Sequence, residues 1–344
     1  MLSVATQPSP DWDAYVRARP DASVYLLSGW SLLAKEVFGH PTHFIEYRDS
    51  AGTLRGVLPI VQQKTLLFGN YATSVPFFNY GGALGEDDEI VGALMDRARE
   101  LAADLGCRYL ELRDATARAG DWIVRSDKVS MILRLPANAE ALSKQLGAKL
   151  RSQVKRAERE SPSVRTGGLE LLNDFYTIFS RTMRDLGTPV YPRRFFEALL
   201  RRFPQESLLV VVDRAGQPAA AGWLVISRGA AEIPWAACNE DAKPAGFNMR
   251  LYWELLSACV ARGCTSFDFG RSTIDSGTYR FKKQWGAEPR QLYWHRWERN
   301  PSHADAGRPD SQRGLMRKAT AIWRKMPLPL ANMLGPLVSP GLPW

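Results

Sequence analysis

The segment GTYRFKKQWG, residues 277–286, follows FDFGRS at 267–272 and sets Arg280, Lys282 and Lys283 among Tyr279, Phe281 and Trp285. A strand CTSFDFG that ends at Gly270, a turn through Arg271, Ser272 and Thr273, and Ser276 as an N-cap predict a short helix whose first amides attract an anion. Thr278, Phe281 and Trp285 fall on one seam of that helix, with Lys282 flanking it and Tyr279 and Lys283 on the far side. A lysine held by a ring-anchored helix can stabilise an oxyanion or a phosphate. The same lysines can simply keep a surface helix soluble, and spacing alone leaves both readings open. Asp268, at the strand end, is the candidate base.

A second candidate is GNYATSVPFFNYGG at 69–82. Its composition suits a binding connection, with Tyr80 and Gly81 as site residues, while Phe77 and Phe78 suit buried packing between domains. Metal chemistry finds no support: Pro41 interrupts His40 and His43, and His295 and His303 stand apart. GxSxG, HExxH and GxxxxGK[ST] motifs are absent from the sequence.

The elements that must position these residues are legible as a repeat. EIVGALMDRARELAADLGCRYLELRD at 89–114 and GFNMRLYWELLSACVARGCTSFDFGR at 246–271 both read helix, Gly-Cys, strand. Each is preceded by a hairpin pattern, turning at Ala51-Gly52 and at Ala215-Gly216. Two mixed α/β (α+β) units follow, as 344 residues allow. The expected partition is 1–140, a linking helix in 141–165, 166–299, and a tail in 300–344. In the linker Leu142, Leu146, Leu150 and Val154 recur every four residues, and Lys144, Arg151 and Lys155 take the other side. NPSHADAGRPDSQRG reads as a mobile linker. The end, LMRKATAIWRKMPLPLANMLGPLVSPGLPW, is basic, then apolar and proline-rich; it either packs on the first domain or lies on an acidic membrane surface, and its prolines oppose a long surface helix.

The bulk numbers bound the rest. A 45% hydrophobic chain with eleven Trp supports packed cores and excludes wholesale disorder. A net charge of +9 favours anionic partners. Four cysteines without CxxC spacing call for no oxidising compartment, and no apolar run spans a bilayer, so a cytoplasmic location is expected.

In chain order WSLLAKEVFG, PFFNYGG, LRSQVKRAER, RDLGTPVYPRRFFEALL, FDFGRS and GTYRFKKQWG resemble the FemAB-type aminoacyl/acyltransferases, most closely the FemAB-related proteins associated with PEP-CTERM/exosortase systems. The resemblance spans roughly residues 20–300. It implies two tandem GNAT-like domains, mixed sheets with flanking helices, and transfer of an activated acyl or aminoacyl group to an amine of a peptidoglycan or exopolysaccharide precursor. By the same resemblance Lys282 takes the lysine position near the transfer centre, and Lys35 binds an acceptor pyrophosphate. Arg184, Arg193 or Arg194 adds a phosphate contact, and Arg271, Ser272 and Tyr279 join the substrate-binding set. No tightly bound cofactor is implied; the donor is aminoacyl-tRNA or acyl-CoA, and the partners are an anionic nucleotide- or lipid-pyrophosphate precursor and tRNA. The coiled-coil hairpin of peptidoglycan FemA and FemB is missing, and so is the [RQ]xxGx[GA] loop of ordinary GNAT enzymes. Two alternatives stand beside this reading: an acyl-CoA-dependent GNAT N-acyltransferase, and a non-catalytic scaffold tethered to membrane or RNA.

Overall fold

The computed structural model describes residues 1–65, 68–300 and 310–342; the expected mobile linker, with His303, falls largely in 301–309, outside the described residues. Strands run β1 (Leu2–Ala5), β2 (Thr42–Arg48), β3 (Leu54–Thr65), β4 (Gly69–Thr73), β5 (Leu84–Gly85), β6 (Tyr109–Asp114), β7 (Ile123–Arg125), β8 (Val129–Arg134), β9 (Pro162–Gly167), β10 (Ser207–Arg214), β11 (Gln217–Ser227), β12 (Ala230–Cys238), β13 (Ser266–Ser272), β14 (Glu288–Gln291) and β15 (Tyr293–Glu298). Helices are α1 (Trp12–Ala18), α2 (Ser28–Phe38), α3 (Asp88–Asp104), α4 (Ala139–Gln145), α5 (Ala148–Arg156), α6 (Leu172–Leu186), α7 (Arg193–Arg202), α8 (Phe247–Ala261), α9 (Gly277–Lys283), α10 (Asp310–Arg324) and α11 (Leu328–Val338).

The chain divides into two units, residues 1–128 with the segment that carries β15 and the chain end from Pro340, and residues 129–290 with α10 and α11. Among the described residues the first sheet runs β1-β2-β3-β4-β6-β15-β7, with β5 beside β3; the second runs β9-β10-β11-β12-β13-β8-β14. The orders match position by position. Each contains a parallel pair at the same place, β4 with β6 and β12 with β13, joined by a crossover through α3 or α8.

The repeat read from Gly-Cys is exact at the helix ends. Gly106 N–H donates to Ala103 O and Cys107 N–H to Ala102 O; 157 residues on (107 to 264), Gly263 N–H donates to Val260 O and Cys264 N–H to Cys259 O. Both glycines sit at φ near +70° (+71° and +72°), the left-handed ending that lets a strand start at once. In the first unit Leu94, Ala98, Leu101 and Ala102 of α3 pack on Ile45, Ile60, Leu110 and Leu112; in the second Leu251, Leu255 and Cys259 of α8 pack on Val210, Val212 and Phe267.

The units are not contiguous halves. Strand β8, which the sequence reading leaves in the first half, pairs with β13 in the second sheet; β15, read with the second half, pairs with β6 in the first. The linking helix is also corrected. It breaks at Leu146-Gly147 into α4 and α5, then gives way to β9, because Gly147 takes an extended conformation that starts the second helix. The predicted apolar face holds: Leu142, Leu146, Leu150 and Val154 are all buried in the second unit's core.

Helices α10 and α11 of the tail pack on α6 of the second unit, whereas its end joins the first, where the Pro340 carbonyl meets His40 Nε2 at 3.0 Å. Arg184 Nη1 donates to Met326 O at 3.0 Å and Asn332 Nδ2 to Ser180 Oγ at 3.3 Å. Its prolines do permit the 11-residue α11: Pro329 occupies the first turn, where no donor is needed, and Pro336 sits near the end.

The PFFNYGG segment is a packed wedge. Beyond the parallel pairs of β4 and β6, Ser74 N–H donates to Glu111 O (3.0 Å) and Gly81 N–H to Arg113 O (2.7 Å), so residues 74–81 cover the exposed side of β6. Phe78 stacks on Tyr25 (4.2 Å) and meets Trp30 edge-on (4.9 Å), and Phe77 contacts Phe38 (5.1 Å), all within the first unit. Gly81 is needed for closeness: a Cβ there would lie 2.1 Å from Val75 Cγ2 and 2.8 Å from Val75 Cβ. Gly81→Ala is therefore expected to cost about 1–3 kcal/mol of stability in urea unfolding through overpacking. An unchanged midpoint would remove the wedge from this account.

Candidate functional site

Phe267 and Phe269 of β13 point into the core against α8, which turns Asp268 to the opposite face. The ladder with β12 ends at Glu232↔Asp268, although β12 continues to Cys238 and β13 to Ser272. Against β8 the register slips between Asp268 and Arg271. Asp268 Oδ1 fixes this bulge by accepting the Ser130 hydroxyl and the Gly270 N–H (2.7 Å), and Gly270 takes φ +77°, which glycine adopts without strain.

The bulge leaves two backbone carbonyls for α9. Lys282 Nζ donates to Gly270 O at 2.8 Å and to Arg271 O at 3.0 Å. Residue 270 is the repeat counterpart of Arg113, offset again by 157 (113 to 270), whose carbonyl the wedge caps in the first unit. One unit closes that position with backbone; the other closes it with an ammonium group.

Helix α9 is seated by rings. Phe281 meets Tyr252 edge-on at 4.9 Å, Trp285 lies 6.0 Å from Tyr252 and 6.4 Å from Phe269, and Tyr252 stacks on Phe269 at 5.6 Å. The predicted cap is present, Ser276 Oγ accepting from Tyr279 N–H at 3.2 Å. The predicted seam is corrected: Tyr279, Lys282 and Trp285 are buried at three-residue spacing, Thr278 is exposed and Phe281 half-buried. The helix spans only seven residues, so its orientation follows the Trp285 and Tyr252 packing rather than its own apolar pattern.

Lys282 is 8% exposed, so it does not serve as a solubilising surface charge. Burial pushes its pKa down to about 8, while Asp268 and Glu232 hold it up and Arg271 pushes it further down. An ammonium has three N–H groups, and two are committed to the bulge. Glu232, buried on β12, is a functional candidate the sequence reading passed over; the signal was one carboxylate inside the otherwise apolar run AAEIPWAAC.

The other expected site residues divide by surroundings. Arg271, exposed, and Ser272, buried with no hydrogen-bond partner on its hydroxyl among the described residues, flank the bulge with Tyr279. The Gly270 N–H is spent on Asp268 and is not open to a ligand. Arg184 is engaged by Asp185 (2.6 Å) and the tail; Arg193 by Asn173 and Glu197 (both 2.9 Å); Arg194 is exposed at the start of α7. None of these three contacts Lys282. Lys35 is exposed on α2, and the Tyr80 carbonyl accepts from Ser23 Oγ at 3.3 Å in the first unit. Among the described residues no cluster of His, Cys, Asp and Glu has the makings of a metal site, and no helix is long and apolar enough to cross a membrane.

Residues 144–283, from α4 through α9, match the family model described as an acetyltransferase (GNAT) domain. No curated protein matches the chain in sequence. Among solved structures it is similar to FemX (TM-score 0.62, 14% identity, 85% of this chain and 96% of that one). It is similar to L-PGS from Bacillus licheniformis (0.58, 15%, 90% and 97%) and to a tandem GNAT protein from the clavulanic acid biosynthesis pathway (0.54, 12%, 88% and 99%). At these identities the likeness is one of fold: the chain has a GNAT-type acyltransferase fold, built from two such units.

Because the Lys282 pKa is depressed from 10.5 to about 8, the unfolded chain binds more protons than the folded one between those values. The stability of the protein relative to Lys282→Met is thus expected to rise with pH across that window, by up to about 3 kcal/mol. Urea midpoints of both proteins between pH 7.5 and 10.5 measure this; parallel curves would mean that Lys282 titrates as a solvated lysine.

Proposed function

We propose that the second unit catalyses acyl transfer to an amine, with Lys282 stabilising the oxyanion of the tetrahedral intermediate. The observation that carries this reading is the buried Lys282 ammonium, oriented by Gly270 O and Arg271 O with one N–H uncommitted, where the β12–β13 ladder ends. A desolvated, pre-oriented cation stabilises developing negative charge far more than a hydrated one and needs no reorganisation during the reaction. The acceptor nitrogen forms a bond to the donor carbonyl, the C–S or C–O bond to the carrier breaks, and the amine proton passes to a carboxylate, Asp268 or Glu232, or to an acceptor phosphate. Asp268 also orients the bulge through Ser130 and Gly270. Much of the rate comes from holding two substrates in line.

For the substrates, the ordered motifs and the FemX-like fold favour an aminoacyl donor and a peptidoglycan precursor as acceptor; an exopolysaccharide precursor and the PEP-CTERM branch rest on the motifs alone. Arg271, exposed at the bulge of the second unit, supplies a cation for an anionic acceptor. The match to an acetyltransferase (GNAT) model favours a second reading, with acyl-CoA as donor. Thermal protection separates them: a ligand at 100 times its Kd adds about 2.7 kcal/mol, so either coenzyme A or aminoacyl-tRNA raises the melting temperature.

Lys282→Met is expected to lower kcat by about 10²–10³ with a small change in KM, as for loss of an oxyanion donor. The ammonium is the active form, so kcat should fall as pH rises through about 8, the value to which burial brings Lys282. Full activity in the variant, or a kcat that rises through that pH, would overturn the assignment.

A further inference from the structure

Helix α11 carries no charged residue, yet only one side of it is covered. Ala331 and Gly335 face inward; a Cβ on Gly335 would lie 2.9 Å from Val190 N. Leu330, Met333 and Leu337, at 40%, 62% and 77% exposure, recur at spacings of three and four, which sets them within about 60° of one another on the helix. Eleven residues make a helix about 16 Å long, suited to lying in an interface plane and too short to cross one. Ile322 of α10, 67% exposed, and Leu186, 53% exposed beside Gly187 where α10 packs, are further exposed apolar side chains of the same unit.

The segment that carries this stripe is basic. Residues 310–342 contain one acidic residue, Asp310, against five basic ones, and Arg317, Lys318, Arg324 and Lys325 are exposed. We propose that α11 and the cations of α10 form a docking surface for an anionic phospholipid bilayer. Three aliphatic side chains enter the headgroup boundary, and the lysines and arginines meet lipid phosphates. A second copy of this chain fits less well, since facing stripes would bring two sets of like charges together. A neutral protein groove would leave the cations without counter-charge.

Flotation of the full chain with vesicles of phosphatidylcholine alone, and of phosphatidylcholine with about one-third phosphatidylglycerol, tests this at low and high salt. Binding to the anionic vesicles is expected to be at least about tenfold tighter and to weaken with salt. Two variants should each lose at least about tenfold: the apolar set Leu330→Gln, Met333→Gln and Leu337→Gln, and the charge set Arg317→Gln, Lys318→Gln and Lys325→Gln. Arg324 is left in place because it also donates to Leu186 O. Unchanged thermal unfolding and circular dichroism certify that the variants fold. Failure of the folded full chain to float with anionic vesicles overturns the proposal, as does equal binding by either variant. Self-association abolished by the apolar set, without vesicle binding, would assign the stripe to a second copy instead.

Discussion

A buried ammonium group bonded to two backbone carbonyls is the interaction on which the second unit's site depends. Lys282 Nζ holds Gly270 O and Arg271 O, and those carbonyls are exposed because Asp268 folds the Gly270 N–H and the Ser130 hydroxyl onto one carboxylate oxygen. Remove the lysine and the buried Gly270 carbonyl loses its donor, at a cost of about 1–3 kcal/mol, while the part-buried Arg271 carbonyl is left to water. Burial of the cation is tolerated because Asp268 and Glu232 lie near it.

Comparison of the two units explains why chemistry is assigned to one of them. Both sheets part beyond a short parallel ladder, as the register of β4 with β6 and of β12 with β13 records. In the first unit the chain itself enters the parting, with Ser74 and Gly81 bonded along β6 and Glu111 paired to Arg113 at 3.1 Å and Arg125 at 3.3 Å. In the second unit the counterpart carbonyl is bonded by a side chain, so it is held without a strand being laid over it. A duplicated fold thus closes the same position with backbone in one unit and with a lysine ammonium in the other, and the proposed chemistry belongs to the second.

Much of this was legible in the chain. Gly-Cys at 106–107 and 263–264 marked the duplication because a left-handed helix end followed at once by a buried strand leaves few residue choices. GTYRFKKQWG singled out Lys282 only through the family resemblance, since a lysine beside an aromatic seam also suits a solvated helix face. The exchange of β8 and β15 was not legible, since an alternating strand satisfies either sheet and the choice is made by long-range pairing. PFFNYGG read as a binding connection because tyrosine, asparagine and glycine also suit a loop; that its N–H groups are spent on β6 is a tertiary fact. Glu232 was hidden for a related reason, because its partner in register, Asp268, is distant in sequence.

The most direct measurement of the central claim is a heteronuclear NMR titration of the Lys282 side chain through its Cε–Hε resonances, assigned by their disappearance in Lys282→Met. The account predicts a midpoint near the value of about 8 that burial imposes. A midpoint at the ordinary lysine value of 10.5 would contradict it, because a solvated ammonium can neither hold the bulge nor wait, oriented, for an oxyanion.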